Sequence, residues 1–468
     1  MGTIVLLLGL LILLFIIFKK NDKDILSPSL FTVCMYIMST LAVLLNFNNW
    51  DINISTITIV IILSSIIMFF LGELIGTALY KFRNKKKLEQ SSYNKDANLN
   101  LISKIKNKMS NLINPHRFVD IDSIQVPLHI VLIVCSFMLI ITVYYLYCIW
   151  NLSIKAGNTE GISKMIYYAR VAYNSVDIDS DMGIIINQGV LLSRCIAYYF
   201  AYAIVFNVVK KNFNRYNLLY FIPIIIYFFD LILSTQRANM IAFVSFVLII
   251  YMIIIRKEEV NTKKSNFRIL KFGAVGAVIL VVVFTFLGLF TGKTQSLGII
   301  NSLLIYTGSS ILALNQWLLD PTTSAFFGES TLRLFYAGIG KFGFDVPIYN
   351  EYFFEHVQIG ENVRTNIFTP LRRYIQDYSY TGLFFIQFIT GLIYGFFLKV
   401  LVNSKYAGLG LILYANFFYP IFSASIEERI MTNYLSLTTI YTVFYFVIIV
   451  IVFNKFIKLK NKEDSIQK

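Results

Sequence analysis

Eleven apolar stretches, each long enough to cross a bilayer, take up most of this chain and leave little else for it to fold around. They run 2–18, 28–47, 55–80, 126–150, 183–208, 217–233, 238–255, 272–290, 378–402, 407–424 and 432–453. A helix needs about 20 predominantly apolar residues to traverse the hydrocarbon core, where every backbone N–H and C=O must be satisfied within the segment itself. With 57% hydrophobic and 14% charged residues, a water-soluble packing of 468 residues is excluded. The predicted fold class is an all-α polytopic membrane protein with 11 transmembrane helices, forming a single integral membrane domain over 1–468.

Charge sets the expected topology. Placing the N-terminus outside and alternating the loops gives an inner set of 19–24, 81–125, 209–216, 256–271, 399–406 and 454–468, which holds 29 of the 41 Lys and Arg residues. That excess obeys the positive-inside rule, reinforced by attraction to anionic headgroups. The formal charge of +15 is thus a topological signal and gives no support to nucleic-acid binding. The basic loop 81–125 reads as a solvated cytosolic segment. The first stretch has no preceding positive charge and no small-residue cleavage site, and Lys19, Lys20 and Lys23 follow it, so it is expected to stay as a helix. All four cysteines fall within apolar stretches, which suggests neither a disulfide framework nor a thiolate metal site. Residues 297–319 are apolar enough to be a twelfth span. Asn301, Gly308 and Asn315, and Ser302, Ser309 and Gln316, recur every seven residues along one face, which predicts an interfacial, re-entrant or cavity-lining helix.

Two outer loops are long, 151–182 and 291–377, and long loops in compact bundles are usually functional. The larger is rich in aromatics, among them Trp317, Phe326, Phe335, Tyr336 and Tyr349, and is expected to fold onto the membrane face. Arginine runs against the general trend there. Inside, Lys outnumbers Arg 24 to 5, whereas the outer loops with span 5 carry 8 Arg to 4 Lys: Arg170, Arg194, Arg237, Arg333, Arg364, Arg372, Arg373 and Arg429. Lysine suffices for topology, while the planar guanidinium fork suits phosphate or carboxylate. Pairing with outer carboxylates such as Glu351, Glu355, Glu361 and Asp377 is the plainer explanation for any one of them.

Position sharpens the pattern. Ser234-Thr235-Gln236-Arg237 and Thr369-Pro370-Leu371-Arg372-Arg373 both read as capped helix starts. A cation in a helix's first turn is unfavourable alone and sensible where an anion binds, so both starts point to a phosphate or pyrophosphate. Asp377, four residues after Arg373, is placed to orient it. Glu73, Arg194 and Asp230 lie inside apolar stretches, where charge is costly and marks an ion pair or a substrate path; Arg194 is the expected partner of Glu73 or Asp230. His356 is the outer histidine, a candidate general base or acceptor-orienting group. The acidic run Asp177-Ile-Asp179-Ser-Asp181 has the look of a divalent site, but acidic loops are common. No nucleotide-binding loop, zinc spacing or nucleophile elbow appears, and no cofactor or metal is expected.

Three stretches carry a family resemblance. Asp24-Ile-Leu-Ser-Pro28-Ser-Leu-Phe31 opens the second helix, and Leu233-Ser-Thr-Gln-Arg237-Ala-Asn239 forms a turn before a helix. Asn362-Val-Arg364-Thr365 is followed by Pro370, Tyr374, Asp377, Gly382, Gly391 and Gly395. Together they resemble the oligosaccharide repeat-unit polymerases of bacterial surface polysaccharide synthesis, the O-antigen or capsule polymerases of the Wzy type. The residue-level likeness covers about a tenth of the chain, the hydropathy layout all of it, and Tyr378 stands where a Phe-Gly commonly follows the Asp.

The resemblance implies a glycosyltransferase-C-like membrane fold in the bacterial cytoplasmic membrane, with its active site facing outward. It implies transfer of a growing glycan from undecaprenyl pyrophosphate to a sugar hydroxyl of the next lipid-linked repeat unit. Arg237, Arg364, Arg372, Arg373 and Arg194 would hold the pyrophosphate, and His356, Asp377 or Glu361 would handle the proton. Expected partners are the undecaprenyl-pyrophosphate-linked oligosaccharide, membrane lipids, and flippase and chain-length regulator proteins. The alternatives are a ligase using the same lipid donor, a flippase or transporter for it, and a structural component of a synthase. A transporter predicts repeats, broken central helices and short loops, which this sequence does not display.

Overall fold

The computed structural model describes the chain apart from residues 22, 47–49, 51–52, 94–115, 174, 176–177, 179–180, 235–236, 260, 291–298, 348–355, 362, 407 and 460–468. Among the described residues, nine helices are long and apolar enough to cross a membrane, and strand is confined to two short antiparallel pairs. The protein is an all-α multi-pass membrane protein.

Nine of the eleven expected spans coincide with these helices. The stretch 272–290 belongs to the helix Thr262–Phe290, and its side chains from 283 onward lie outside the described residues. The stretch 407–424 does not form one span. It makes two pieces, Leu409–Asn416 and Tyr419–Phe422, with a turn at Phe417 and Phe418. Pro420 sits in the second piece and has no N–H to extend the ladder backward.

The chain divides into two compact units, both discontinuous in sequence. Unit 1 comprises Met1–Asn98, Ile300–Asn403 and Phe417–Ile440, and unit 2 comprises Leu99–Ile299, Ser404–Asn416 and Tyr441–Lys468.

In unit 1 the helices α1 (Gly2–Lys20), α2 (Pro28–Leu45) and α3 (Thr56–Tyr93) pack together. Ser27 caps α2 by accepting from the Leu30 N–H at 3.3 Å, with Pro28 at the first helical position. The main partner of α3 is the later helix Pro370–Asn403. Gly72 and Gly76 of α3 face Gly391 and Gly395 of that helix. A Cβ at Gly72 would fall 2.0 Å from the Phe388 carbonyl oxygen, and one at Gly391 would fall 1.9 Å from that of Phe69. Lipid gives helices no hydrophobic reason to associate, so close backbone approach of this kind carries the packing.

Buried Glu73 lies between the two α3 glycines, and its carboxylate accepts from the Ser29 N–H at 2.9 Å, the Ser27 hydroxyl at 3.1 Å and the Ser29 hydroxyl. The helix Ile299–Trp317, read as interfacial or re-entrant, spends its polar stripe inside unit 1. Ser309 meets Thr365 at 2.9 Å, Ser310 donates to the Ser425 carbonyl, and Asn315 accepts from the Ser55 N–H and the Thr58 hydroxyl, both at 2.8 Å. Its apolar residues Ile311, Leu312 and Leu314 join the same core as Leu6, Val33 and Tyr374.

Unit 2 is built around α6 (Ile184–Val209), buried over most of its length, with α4 (Leu128–Lys155), α7 (Phe221–Leu233) and α8 (Arg237–Glu258) against it. The short helix α5 (Met165–Tyr173) folds its Ala169 and Ala172 face down beside Tyr145 and Ile149 of α4, so the loop 151–182 carries packed structure.

Segments expected on the basic inner side meet one another at one end of this unit. Strand β1 (Ile121–Ile124) pairs antiparallel with the strand Ile457–Leu459, joining loop 81–125 to the C-terminal segment. Asn212 donates to the Asp122 carboxylate, Lys210 pairs with Glu258 at 2.8 Å, and Lys257 donates to the Ser404 carbonyl. Five loops assigned to one side on charge alone are thus bound together as neighbours.

Candidate anion-binding site

Within unit 1, residues of the stretches 322–333 and 366–376 line a cavity of about 350 Å³. Its construction starts at the first turn of Pro370–Asn403. Pro370 occupies the first helical position as the sequence predicts, and Arg372 and Arg373 follow within that turn. The expected side-chain cap from Thr369 is not formed: its hydroxyl is fully buried and makes no hydrogen bond among the described residues. At the other end of this short helical piece, Ser379 adopts φ 62° and ψ −178° and breaks the helix in two. That backbone region is almost confined to glycine and costs about 1–3 kcal/mol, so the surroundings must hold it. The break falls one residue after the expected span boundary at 378, which separates the arginine-bearing turn from the apolar helix beyond.

Asp377, at the break, holds the loop opposite. Its carboxylate accepts from the Thr331 N–H at 2.8 Å, the Thr331 hydroxyl at 2.7 Å, the Ser330 N–H at 3.1 Å and the Ser324 hydroxyl. Arg373 in turn donates to the Ser330 carbonyl at 3.2 Å. The expectation that Asp377 orients Arg373 directly is therefore corrected. It fixes the loop that Arg373 touches. The same anchorage delivers Arg333, the first residue of the helix Arg333–Gly340, to the cavity wall.

Three guanidinium groups, Arg333, Arg372 and Arg373, line the cavity against one carboxylate, Glu329, which accepts from the Ala325 N–H at 2.7 Å. Arg372 is buried, its guanidinium 3.9 Å from the Phe368 ring centre and 5.5 Å from that of Trp317. Both rings offer their faces to the cation and help to hold it in place. Thr322, Thr323, Ser330, Asn366 and Gln376 complete the polar lining. Such a space suits a ligand of several negative charges with polar groups attached.

The other expected site residues lie around this cavity or elsewhere. Strand β2 (Val357–Gly360) and β3 (Val363–Thr365) form a hairpin in register Gln358 to Arg364. His356 precedes it, Glu361 occupies its turn, and both are exposed, as is Arg364. Buried Ile359 and Thr365 pin the hairpin down, and the chain then runs through Asn366 and Phe368 into the cavity. Asn362, Glu351 and Glu355 lie outside the described residues.

In unit 2, Arg237 begins α8, while Thr235, which with Ser234 was expected to supply its cap, lies outside the described residues with Gln236. Ser234 instead ends α7, donating to the Leu231 carbonyl. Arg194 donates to Asn416 at 3.3 Å and lies over the Tyr198 ring, and Asp230 accepts from Thr142 at 2.7 Å. The expected pairing of Arg194 with Asp230 is not formed, and Glu73 takes serine donors as its partners. Each of these charges meets neutral partners on other helices, while Arg194 Nε and Asp230 Oδ2 make no hydrogen bond among the described residues. Of the acidic run, Asp177 and Asp179 lie outside the described residues, and Asp181 accepts from the Gly183 N–H.

Arg429 follows the plainer explanation. It pairs with Glu427 at 2.8 Å, and although burial works against its charge, Glu427 more than offsets this and raises the guanidinium pKa. Arg333 was one of eight outer arginines in the sequence and no motif singled it out. Its place at the start of a short helix was the signal available.

Comparison with protein-family models, curated proteins and solved structures finds no match for this chain.

Proposed function

We propose that this protein is a membrane glycosyltransferase that polymerises undecaprenyl-pyrophosphate-linked oligosaccharide repeat units into a surface polysaccharide. In this reading it has a glycosyltransferase-C-like fold and works at the outer face of the bacterial cytoplasmic membrane. The observation that carries it is the convergence of Arg333, Arg372 and Arg373 on one cavity in the segment read as the large external loop.

In the reaction, a hydroxyl of the acceptor sugar attacks the anomeric carbon of the donor glycan. The bond from that carbon to the pyrophosphate oxygen breaks, and the hydroxyl proton passes to a base. Pyrophosphate is a good leaving group, so the catalytic task is to stabilise the charge developing on it and to orient the acceptor. Fixed guanidinium groups meet the first need, with Arg372 held over the Phe368 ring and beside Trp317. His356 and Glu361, on the hairpin leading into the cavity, are the candidates for the proton. Asp377, occupied by its loop donors, is a positioning residue.

The deciding experiment incubates the purified protein with lipid-pyrophosphate-linked repeat units. A ladder of longer glycans is expected. Transfer only to a foreign acceptor would make it a ligase, and passage of the lipid across vesicles without bond formation would make it a transporter.

A further inference from the structure

A second cavity, of about 360 Å³, opens in unit 2 among the end of α6, the last turns of α8 and the first part of α9 (Thr262–Phe290). Its lining has two zones. Lys211, Arg268 and Lys271 form one. Tyr251, Phe272, Val208 and Val275 form the other.

The zones are ordered along the helices. On α9, Arg268, Lys271, Phe272 and Val275 fall at i, i+3, i+4 and i+7 and therefore share a face, with the cations first. That interval spans roughly 10 Å along the axis, the depth from a phosphate to the upper acyl chain. On α6, which runs the opposite way between these ends, apolar Val208 comes before Lys211. The cations of both helices thus lie toward the end where Lys210 meets Glu258 and Asn212 meets Asp122.

Tyr251 and Phe272 stack at 3.8 Å between ring centres and 18° between planes, giving the apolar zone a flat wall. Val208 and Val275 stay 47% and 50% exposed, leaving that zone open to hydrocarbon. Lys211 takes φ 58° just past the end of α6, a place ordinarily filled by glycine. Arg268 is paired with Glu259, which also lies 3.5 Å from Lys264, so exposed Lys211 and Lys271 supply the cavity's excess charge.

We infer that this cavity binds one anionic phospholipid, its phosphate at Lys211 and Lys271 and an acyl chain along Tyr251, Phe272 and Val275. A free phosphate would use the first zone alone. A zwitterionic lipid would bring its own cation up to the two lysines. Only a lipid with net negative charge satisfies both zones. The site shares no lining residue with the arginine cavity and does not rest on the proposed reaction.

Full-length protein, delipidated in mild detergent and mixed with equal phosphatidylglycerol and phosphatidylcholine, provides the test by native mass spectrometry. We expect one tightly retained lipid, with about tenfold preference for phosphatidylglycerol. The preference should be lost in Lys211→Gln/Lys271→Gln and restored in Lys211→Arg/Lys271→Arg. Inorganic phosphate at millimolar concentration should not displace the lipid. A Lys19→Gln/Lys20→Gln variant, which removes the same charge from unit 1, should keep the preference. Equal retention of the two lipids, an unaffected double glutamine variant, displacement by inorganic phosphate, or an equal loss in the unit 1 control would each overturn the site.

Discussion

Ser29 donates its backbone N–H to the carboxylate of Glu73 at 2.9 Å, tying the start of α2 to the middle of α3. Ser27 and Ser29 add their hydroxyls, so a residue that read as an ion-pair partner or a substrate-path charge serves as the acceptor at a helix N-terminus. Replacing Glu73 by Ala strands these buried donors and should cost about 1–3 kcal/mol of stability. Glu73→Gln keeps one acceptor oxygen and should lose less. Thermal unfolding in detergent reads this directly, and an alanine variant as stable as wild type would contradict the assignment.

The Gly72–Gly76 and Gly391–Gly395 pairs predict a sharper effect of a single methyl group. Alanine at Gly72 or Gly391 places a carbon within 2.0 Å of a backbone oxygen on the facing helix, so the helices must separate. The expected loss is about 1–3 kcal/mol for each. Gly273→Ala is the control, because a Cβ there meets nothing within 4 Å. It should be neutral or gain up to about 1 kcal/mol in helix propensity. Equal unfolding temperatures for all three variants would mean that α3 and its partner do not approach this closely.

Hydropathy and charge made most of this architecture legible. Nine of the eleven spans, and the neighbouring of the basic loops in unit 2, follow from segment length and Lys placement alone. The Gly-Glu-Leu-Ile-Gly stretch and the Ser-Pro-Ser start of α2 were both visible, but a single sequence has no term that pairs them across 44 residues. The same blindness made Arg194 and Asp230 look like ion-pair partners, when each instead hydrogen-bonds a neutral residue, Asn416 or Thr142, on another helix. The arginine site was half legible. Arg372 and Arg373 stand out by their helix start, whereas Arg333 reaches the cavity only because Asp377 gathers a loop more than 40 residues earlier. The broken stretch 407–424 shows how hydropathy overlooks one proline.

Sidedness rests on lysine placement and is open to direct labelling. In a background without the four native cysteines, a cysteine at position 345 should react with an impermeant reagent from outside. One at position 122, in the basic strand segment, should react only once the inner face is opened. Labelling of position 345 from the inner face alone would reverse the topology and move the arginine cavity to the wrong side for an external reaction.

Metal independence is the next expected outcome. Three guanidinium groups at one cavity can neutralise a pyrophosphate without a cation, so chain extension should persist in excess EDTA within about twofold. Complete loss with recovery on added Mg or Mn would sink this view and direct attention to Asp177, Asp179 and Asp181.

The arginines themselves give the most demanding prediction. Removing a charge-assisted contact to the leaving group should slow chain extension by roughly 30- to 1000-fold in each of Arg333→Ala, Arg372→Ala and Arg373→Ala. Lysine should rescue only in part, since it keeps the charge and loses the fork. Rescue should be poorest at Arg372, because its guanidinium stacks 3.9 Å from Phe368 and an ammonium has no plane to match. Arg237→Ala and Arg364→Ala extend the series to two of the three arginines, with Arg194, that the sequence alone nominated. Arg429→Ala serves as a contrast: it leaves Glu427 with the Tyr419 hydroxyl but no cation, and should lower stability more than the rate per folded molecule. Initial extension rates at matched folded protein separate these cases. Near-normal rates in all three cavity variants would remove the site, and lysine as good as arginine at every position would reduce it to a diffuse positive field.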